Sequence, residues 1–263
     1  MIADKYSVSN QPISVILSYV EANQIAIPDI QRPFVWKRTQ VRDLIDSLYN
    51  GYPTGYLIVW HSPNVRIKGL HDSAGKKILI DGQQRVTALM AAILGKKIIG
   101  DDYKEMNVRI AFNPFPEPGE PRFEVQDSSH LKSKKWISDI SIVFRPDFAA
   151  YSFINQYREN NPDIDPNELS ILVSRLKSIV SRQIGVVDLA YHLTIDEVTE
   201  IFIRINSQGK PLSQADFVMS KIAADEIHGG NLLRKAIDYF CHLAVEPSYY
   251  SYIETNDSEF MKS

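Results

Sequence analysis

The chain is poor in the features that would classify it at sight. It has one cysteine, Cys241, in 263 residues, so no intramolecular disulfide can form, and the composition suits a reducing cytoplasm. No apolar stretch is long enough to span a bilayer, which leaves no expected membrane partner. The N-terminal stretch has no basic n-region followed by an apolar core and a small-residue cleavage site. The formal charge of −3 argues against a surface that is basic throughout, while leaving room for a local basic groove. The six histidines stand at no metal-ligand spacing with cysteines or carboxylates. P-loop, G-x-G-x-x-G and G-x-S-x-G sequences are all absent. There is no internal repeat and no low-complexity tract.

What is present reads as alternating short strands and helices. "ISVILSYVEANQ", from Ile13, has apolar residues at helical spacing. "TQVRDLIDSLYNGYP" repeats Val41, Leu44, Ile45 and Leu48 at i, i+3, i+4, i+7, with Thr39 as expected N-cap and Gly51 and Pro53 as stop. "GYLIVW" and "KKILI" read as strands, "NVRIAF" (107–112) as a third, and "PRFEVQ" as its hairpin partner. Val86, Leu89, Met90, Ile93 and Leu94 mark a helix closed by Gly95. Further on, "DPNELSILVSRLKSIVSRQ" opens with Asp165 as N-cap and Pro166 at the first helical position. "GVVDLA" is a short strand able to rejoin the sheet. Thr194-x-x-Glu197 is a capping box before "EVTEIFIRIN". "LSQADFVMSKIAADEIHGG" and "NLLRKAIDYFCHLAV" are helices, and the tail beyond them carries no stop signal, as in a fragment of a longer chain. The expected architecture is α+β: an α/β core over 1–148 and a mainly helical extension over 149–263 that packs on it and contributes the segment "FIRINSQGK".

Three segments are costly for a purely structural protein. The first is Asp81-Gly82-Gln83-Gln84-Arg85, at the junction of the second strand and its helix. A helix N-terminus disfavours a cation by about 0.3–1 kcal/mol, yet Arg85 sits in the first turn. Broken local rules are expected at functional sites. Unpaired N–H groups, a glycine that admits close approach and a guanidinium together suit a phosphate. Gln83 and Gln84 could donate to it or orient a water, and Asp81 could bind a metal with the phosphates, accept a proton or simply cap the helix. The plain alternative is an ordinary turn in which Arg85 pairs with a carboxylate. The second segment, "IPDIQRPFVW", holds Gln31 and Arg32 extended between prolines, with Phe34 and Trp36 packing beneath or stacking on a base. Read alone, Arg32 is a surface arginine. The third, "FIRINSQGKPLS", places Arg204 at a helix C-terminus, where a cation is ordinary. Asn206 to Lys210 follow as a donor-rich turn, either a plain connection or a loop closing on a polar ligand. Lys132, Lys134 and Lys135 beside Trp136 read as a solvated loop.

In this order the segments resemble the N-terminal domain of GmrSD-type restriction endonucleases, within the ParB/sulfiredoxin-like superfamily. The matching residues are Ile27-Pro28-x-x-Gln31-Arg32-x-x-x-Trp36, then Tyr52-Pro53-x-Gly55, then Asp81-Gly82-Gln83-Gln84-Arg85, then Phe202-x-Arg204-Ile205-Asn206-Ser207-x-Gly209-x-x-Leu212-Ser213. The resemblance spans roughly Ile25 to Asp216. It implies a ParB-like small mixed sheet with helices, and nucleoside triphosphate binding and hydrolysis at the DGQQR motif, linked to restriction of modified phage DNA. On that basis Asp81, Gln83, Gln84 and Arg85 are the expected catalytic residues. Gln31, Arg32, Gly82, Arg204, Asn206 and Lys210 are the expected nucleotide contacts, and Asp81 is the expected ligand of Mg2+ or another divalent ion. The implied partners are a nucleoside triphosphate, DNA and a nuclease domain or subunit. Two departures narrow this. Sulfiredoxin chemistry needs a cysteine at the nucleotide site, and Cys241 lies in a late helix. No His-Asn-His nuclease constellation is present in the chain. Three alternatives stay open: a nucleotide sensor without turnover, a DNA-binding or nuclease module holding the DNA backbone at the same site, and a scaffold with a degenerate site.

Overall fold

In the computed structural model, residues 4–22, 24–26, 34–61, 77–100, 105–206, 229–257 and 260–262 are described. They fall into two compact units, one holding the described residues up to 190, the other those from 191 onward.

The first unit is built on a five-stranded mixed sheet. Its order is β1 (Tyr6–Pro12), β9 (Gln183–Leu189), β3 (Tyr56–Trp60), β4 (Lys77–Asp81) and β2 (Ile25–Ala26). β1 runs antiparallel to β9, β9 parallel to β3, β3 antiparallel to β4 and β4 parallel to β2. Leu57, Val59, Leu79, Ile184 and Val186 belong to the main hydrophobic cluster, while Ile58, Trp60, Ile78 and Leu189 are buried outside it, so both faces of the central strands are covered. Helices α1 (Ile13–Glu21), α2 (Arg38–Asn50) and α3 (Gln83–Ile93) bring Ile16 and Leu17, Ile45 and Leu48, and Val86 and Leu89 to the same cluster. Each such side chain stabilises the fold by roughly 1.5–3 kcal/mol on full burial, far more than any residue's helix propensity.

Two small ribbons complete the strands, β5 (Ile98–Ile99) with β6 (Glu105–Met106) and β7 (Ile110–Phe112) with β8 (Phe123–Val125). The buried Tyr49 ring packs on Phe112 and Phe123, with centroids 5.6 and 5.3 Å away. α4 (Ser128–Lys132) is short, and α5 (Ala150–Asn160) and α6 (Pro166–Lys177) follow. Asp165 Oδ1 caps α6 by accepting from Asn167 N–H at 2.9 Å, as its sequence predicts. Tyr157 of α5 is buried and its hydroxyl donates to Lys135 O at 2.6 Å; burial pushes the phenol up to about 12. Lys135 itself is exposed and pairs with Glu117 at 3.0 Å, as a solvated loop should.

In the second unit, α7 (Ile195–Asn206) opens with the predicted capping box, Thr194 N–H donating to Glu197 Oε2 at 3.0 Å and Glu197 N–H to Thr194 Oγ1 at 3.3 Å. α8 (Gly230–Val245) and α9 (Tyr249–Asn256) follow. The helix expected over "LSQADFVMSKIAADEI" lies outside the described residues. Among the described residues no helix is long and apolar enough to cross a membrane.

The α+β class holds, and "GVVDLA" does rejoin the sheet, as part of β9 between β1 and β3. Some details differ. α2 starts at Arg38 rather than after Thr39, because Gln40 Oε1 reaches back to accept Lys37 N–H at 2.8 Å and fixes the cap two residues earlier. The strand expected over 107–112 pairs only from Ile110. β1 was not legible: it is an edge strand exposed over most of its length, and its only apolar alternation, Tyr6 and Val8, is short and exposed.

Candidate functional site

The junction between β4 and α3 is built by two backbone irregularities. Val59 pairs with Leu79 and Ile58 with Asp81, so Ile80 is an extra residue in β4. Such a bulge re-aims the strand that carries it. Gly82 then adopts φ +93°, which L side chains rarely tolerate. A Cβ there would lie 2.3 Å from Leu57 Cδ2, so glycine is required by space as well as by conformation. The helix opens directly, with Val86 N–H donating to Gly82 O at 3.0 Å. Gly82 thus occupies the N-cap position and no side chain caps α3. The capping role considered for Asp81 is therefore not realised; it is the last residue of β4. The first N–H groups of α3 have no acceptor within the helix.

Arg85 folds back across this junction. Its Nη1 donates to Tyr56 O at 2.8 Å, and its Nη2 would lie 2.9 Å from a Cβ on Gly55, which has φ +89°. The glycines of two separate motifs, Gly55 and Gly82, thus make room for one guanidinium. The guanidinium is half-buried. Burial lowers the Arg85 pKa, and the Asp81 carboxylate partly offsets this. Burial likewise raises Asp81, against the Gly82 N–H and the Arg85 charge. Among the described residues no carboxylate approaches Arg85 closely enough to form an ion pair, and its hydrogen-bond acceptor is one neutral carbonyl. The plain alternative, a guanidinium held by an internal ion pair, is not what is found.

Beside Arg85 lies a cleft of about 290 Å³. Trp36, Pro53 and Thr54 line it with Arg85, and α2 contributes Gln40, Asp43, Leu44 and Ser47. Gln84 Oε1 accepts Val35 N–H at 2.9 Å and so ties the Trp36 loop to the start of α3. Three of the sequence motifs converge here, through Trp36, Pro53 and Arg85. Asp81, Gly82, Gln83 and Gln84 flank the cleft at the helix start without lining it, and the Gln84 side-chain oxygen is engaged with Val35.

Gln31, Arg32 and Lys210 lie outside the described residues. Arg204 belongs to the second unit, where it is exposed and pairs with Glu200 one turn earlier on α7. Asn206 is the last residue of α7. Gln40, Asp43 and Ser47 were missed by the sequence reading. Their i, i+3, i+7 stripe resembles any solvent-facing helix surface, and only the placement of Trp36 and Arg85 opposite makes it a wall.

No group of three or more His, Cys, Asp or Glu side chains stands ready to hold a metal among the described residues. Magnesium carried by phosphates needs fewer, often one or two carboxylates, and Asp81, whose ionised form is only partly compensated by the Gly82 N–H and Arg85 in the half-buried junction, fits that lesser demand.

A family model described as GmrSD restriction endonuclease, N-terminal domain, matches residues 13–223, a span that includes every segment of this junction and cleft. No curated protein matches the chain.

Proposed function

Since the chain belongs to the family of GmrSD restriction endonuclease N-terminal domains, a component of DNA restriction systems, we propose that it binds and hydrolyses nucleoside triphosphates, with the Asp81 to Arg85 junction as the phosphate site. The observation that carries this reading is the half-buried Arg85 guanidinium beside an open cleft, with a carbonyl rather than a carboxylate for a partner. A guanidinium has five N–H donors. Hydrogen bonds to charged groups contribute roughly 1.5–3 kcal/mol each, which outweighs the dipole penalty of about 0.3–1 kcal/mol for a cation in the first turn. A bound phosphate also reverses that penalty, because it faces the helix N-terminus itself.

In this reading Arg85 and the N–H groups of Gly82, Gln83 and Gln84 stabilise the charge that develops on the transferred phosphoryl group. Asp81 or Gln83 orients the attacking water. Gln84 has a positioning part, because its bond to Val35 N–H sets the Trp36 loop. Asp81 would hold a phosphate-bound divalent ion, magnesium by preference, whose chemistry there is neutralisation of phosphate charge. On the family resemblance, Gln31, Arg32, Arg204, Asn206 and Lys210 extend the nucleotide contacts, and the first unit is a ParB-like core. The module works in the cytoplasm with DNA and a nuclease domain or subunit, and turnover gates DNA engagement.

The test is phosphate release from each of the four ribonucleoside triphosphates, with magnesium, with and without DNA. Release by the wild-type chain that disappears in Arg85→Ala supports the proposal. Binding without release makes the chain a nucleotide sensor, and neither binding nor release removes the reading.

A further inference from the structure

The cleft has a direction. Gln40, Asp43 and Ser47 face it along α2, and Gln40 and Ser47, seven residues apart, are separated by about 10 Å along the helix axis. Arg85 belongs to the Ser47 end. Tyr52 N–H donates to Ser47 O at 2.8 Å, and the guanidinium lies against Gly55 and Tyr56 just beyond. Trp36 belongs to the opposite end, one residue before Lys37, whose N–H donates to Gln40 Oε1. The cleft lining therefore brings together a guanidinium, a carboxylate and an indole.

A carboxylate in the middle of an anion-binding cleft needs a reason. It repels phosphates and gains nothing from an apolar ring face, but any oxygen that Arg42 leaves unpaired can accept hydrogen bonds from a ligand in the cleft. One Asp43 oxygen is engaged by its sequence neighbour. Arg42 Nε and Nη2 donate to its Oδ1 at 2.8 and 2.6 Å, while Oδ2 has no partner among the described residues. Between the phosphates and the base of a nucleotide stands the ribose, whose neighbouring hydroxyls are the donors a carboxylate accepts in other nucleotide sites.

Resting on the triphosphate reading above, we propose that Asp43 is a specificity-determining residue: it accepts hydrogen bonds from the ribose hydroxyls and selects ribonucleoside over 2′-deoxyribonucleoside triphosphates, with Trp36 stacking on the base. The arrangement keeps a module of a DNA restriction system from filling its phosphate site with the deoxyribose backbone of its own target.

The experiment is calorimetric titration of ATP and dATP, and of GTP and dGTP, into the full chain and into Asp43→Ala and Asp43→Asn. Comparing sugars on one base cancels any base preference. Asp43 is 61% exposed and its ion pair is with its sequence neighbour, so the variants should melt with the wild type. The wild-type chain should bind each ribonucleotide about tenfold more tightly than its deoxy counterpart, the size expected of one charged hydrogen bond lost. Asp43→Ala should bring that ratio to about one, and Asp43→Asn should give an intermediate ratio. Equal affinities in the wild type, or a ratio that survives Asp43→Ala, overturns the assignment while the triphosphate reading stands. If no triphosphate binds the wild type at all, the reading beneath it falls and takes the assignment with it.

Discussion

Replacing Gly82 by alanine probes the junction most sharply, and the structure supplies its own control. Gly82 and Gly119 have nearly the same φ, +93° and +92°. An alanine at either position carries the left-handed strain of an L residue, about 1–2 kcal/mol. The surroundings differ. A Cβ at Gly119 meets nothing within 4 Å, whereas one at Gly82 lies 2.3 Å from Leu57 Cδ2 and 3.5 Å from Leu57 Cα. Leu57 is fully buried, so it cannot swing into solvent and must force its neighbours aside. Overpacking of that kind costs typically 1–3 kcal/mol. Gly82→Ala should therefore destabilise the chain by about 2–5 kcal/mol in total, and Gly119→Ala by only the strain. The assay is urea unfolding followed by circular dichroism, comparing midpoints at constant slope. The two variants should differ by about 1–3 kcal/mol. Equal losses would mean that Leu57 does not press on the junction, and the tight seat described for the α3 N-terminus would be wrong.

Two other perturbations read neighbouring parts of the account. Gln84→Ala removes the acceptor of Val35 N–H, so amide hydrogen exchange at Val35 should accelerate and triphosphate affinity should weaken through a loosened Trp36 loop; unchanged exchange would deny Gln84 its positioning part. Tyr157→Phe removes the hydrogen bond to Lys135 O, a loss of about 1 kcal/mol. Because burial pushes the folded Tyr157 phenol up to about 12, above its ordinary value of 10.0, the folded state keeps a proton that the unfolded state releases between those values. Its contribution to stability is therefore complete below about pH 10 and is lost as pH rises toward 12. In alkaline urea titrations the wild type should lose its advantage over Tyr157→Phe across that window, and a constant difference would contradict the burial argument.

Much of this molecule was legible from periodicity and punctuation. The apolar stripe of α2, the Asp165-Pro166 start of α6 and the Thr194 and Glu197 box on α7 are local signals, and local hydrogen bonds realise them. Arg85 was legible for the opposite reason, as a cation where a helix resists one. What could not be read were features decided by distant neighbours. β1 has too few apolar residues to announce itself and is a strand only because β9 pairs with it along its whole length. The bulge at Ile80 depends on the register against β3. The polar wall of α2 gains meaning only when Trp36 and Arg85 face it. The Asp81 cap failed because the glycine that follows occupies the cap position, and a side chain one residue too early sits in the strand instead.

The central claim is that Arg85 waits for a phosphate. It is tested most directly by calorimetric titration of a non-hydrolysable nucleoside triphosphate with magnesium into the wild-type chain and into Arg85→Ala, with melting temperatures measured alongside. The account predicts saturable binding to the wild type, weakened at least about tenfold in the variant, as loss of a charged hydrogen bond requires, with both chains folded. A wild type that takes up no triphosphate, or a variant that binds as tightly as the wild type, would contradict it.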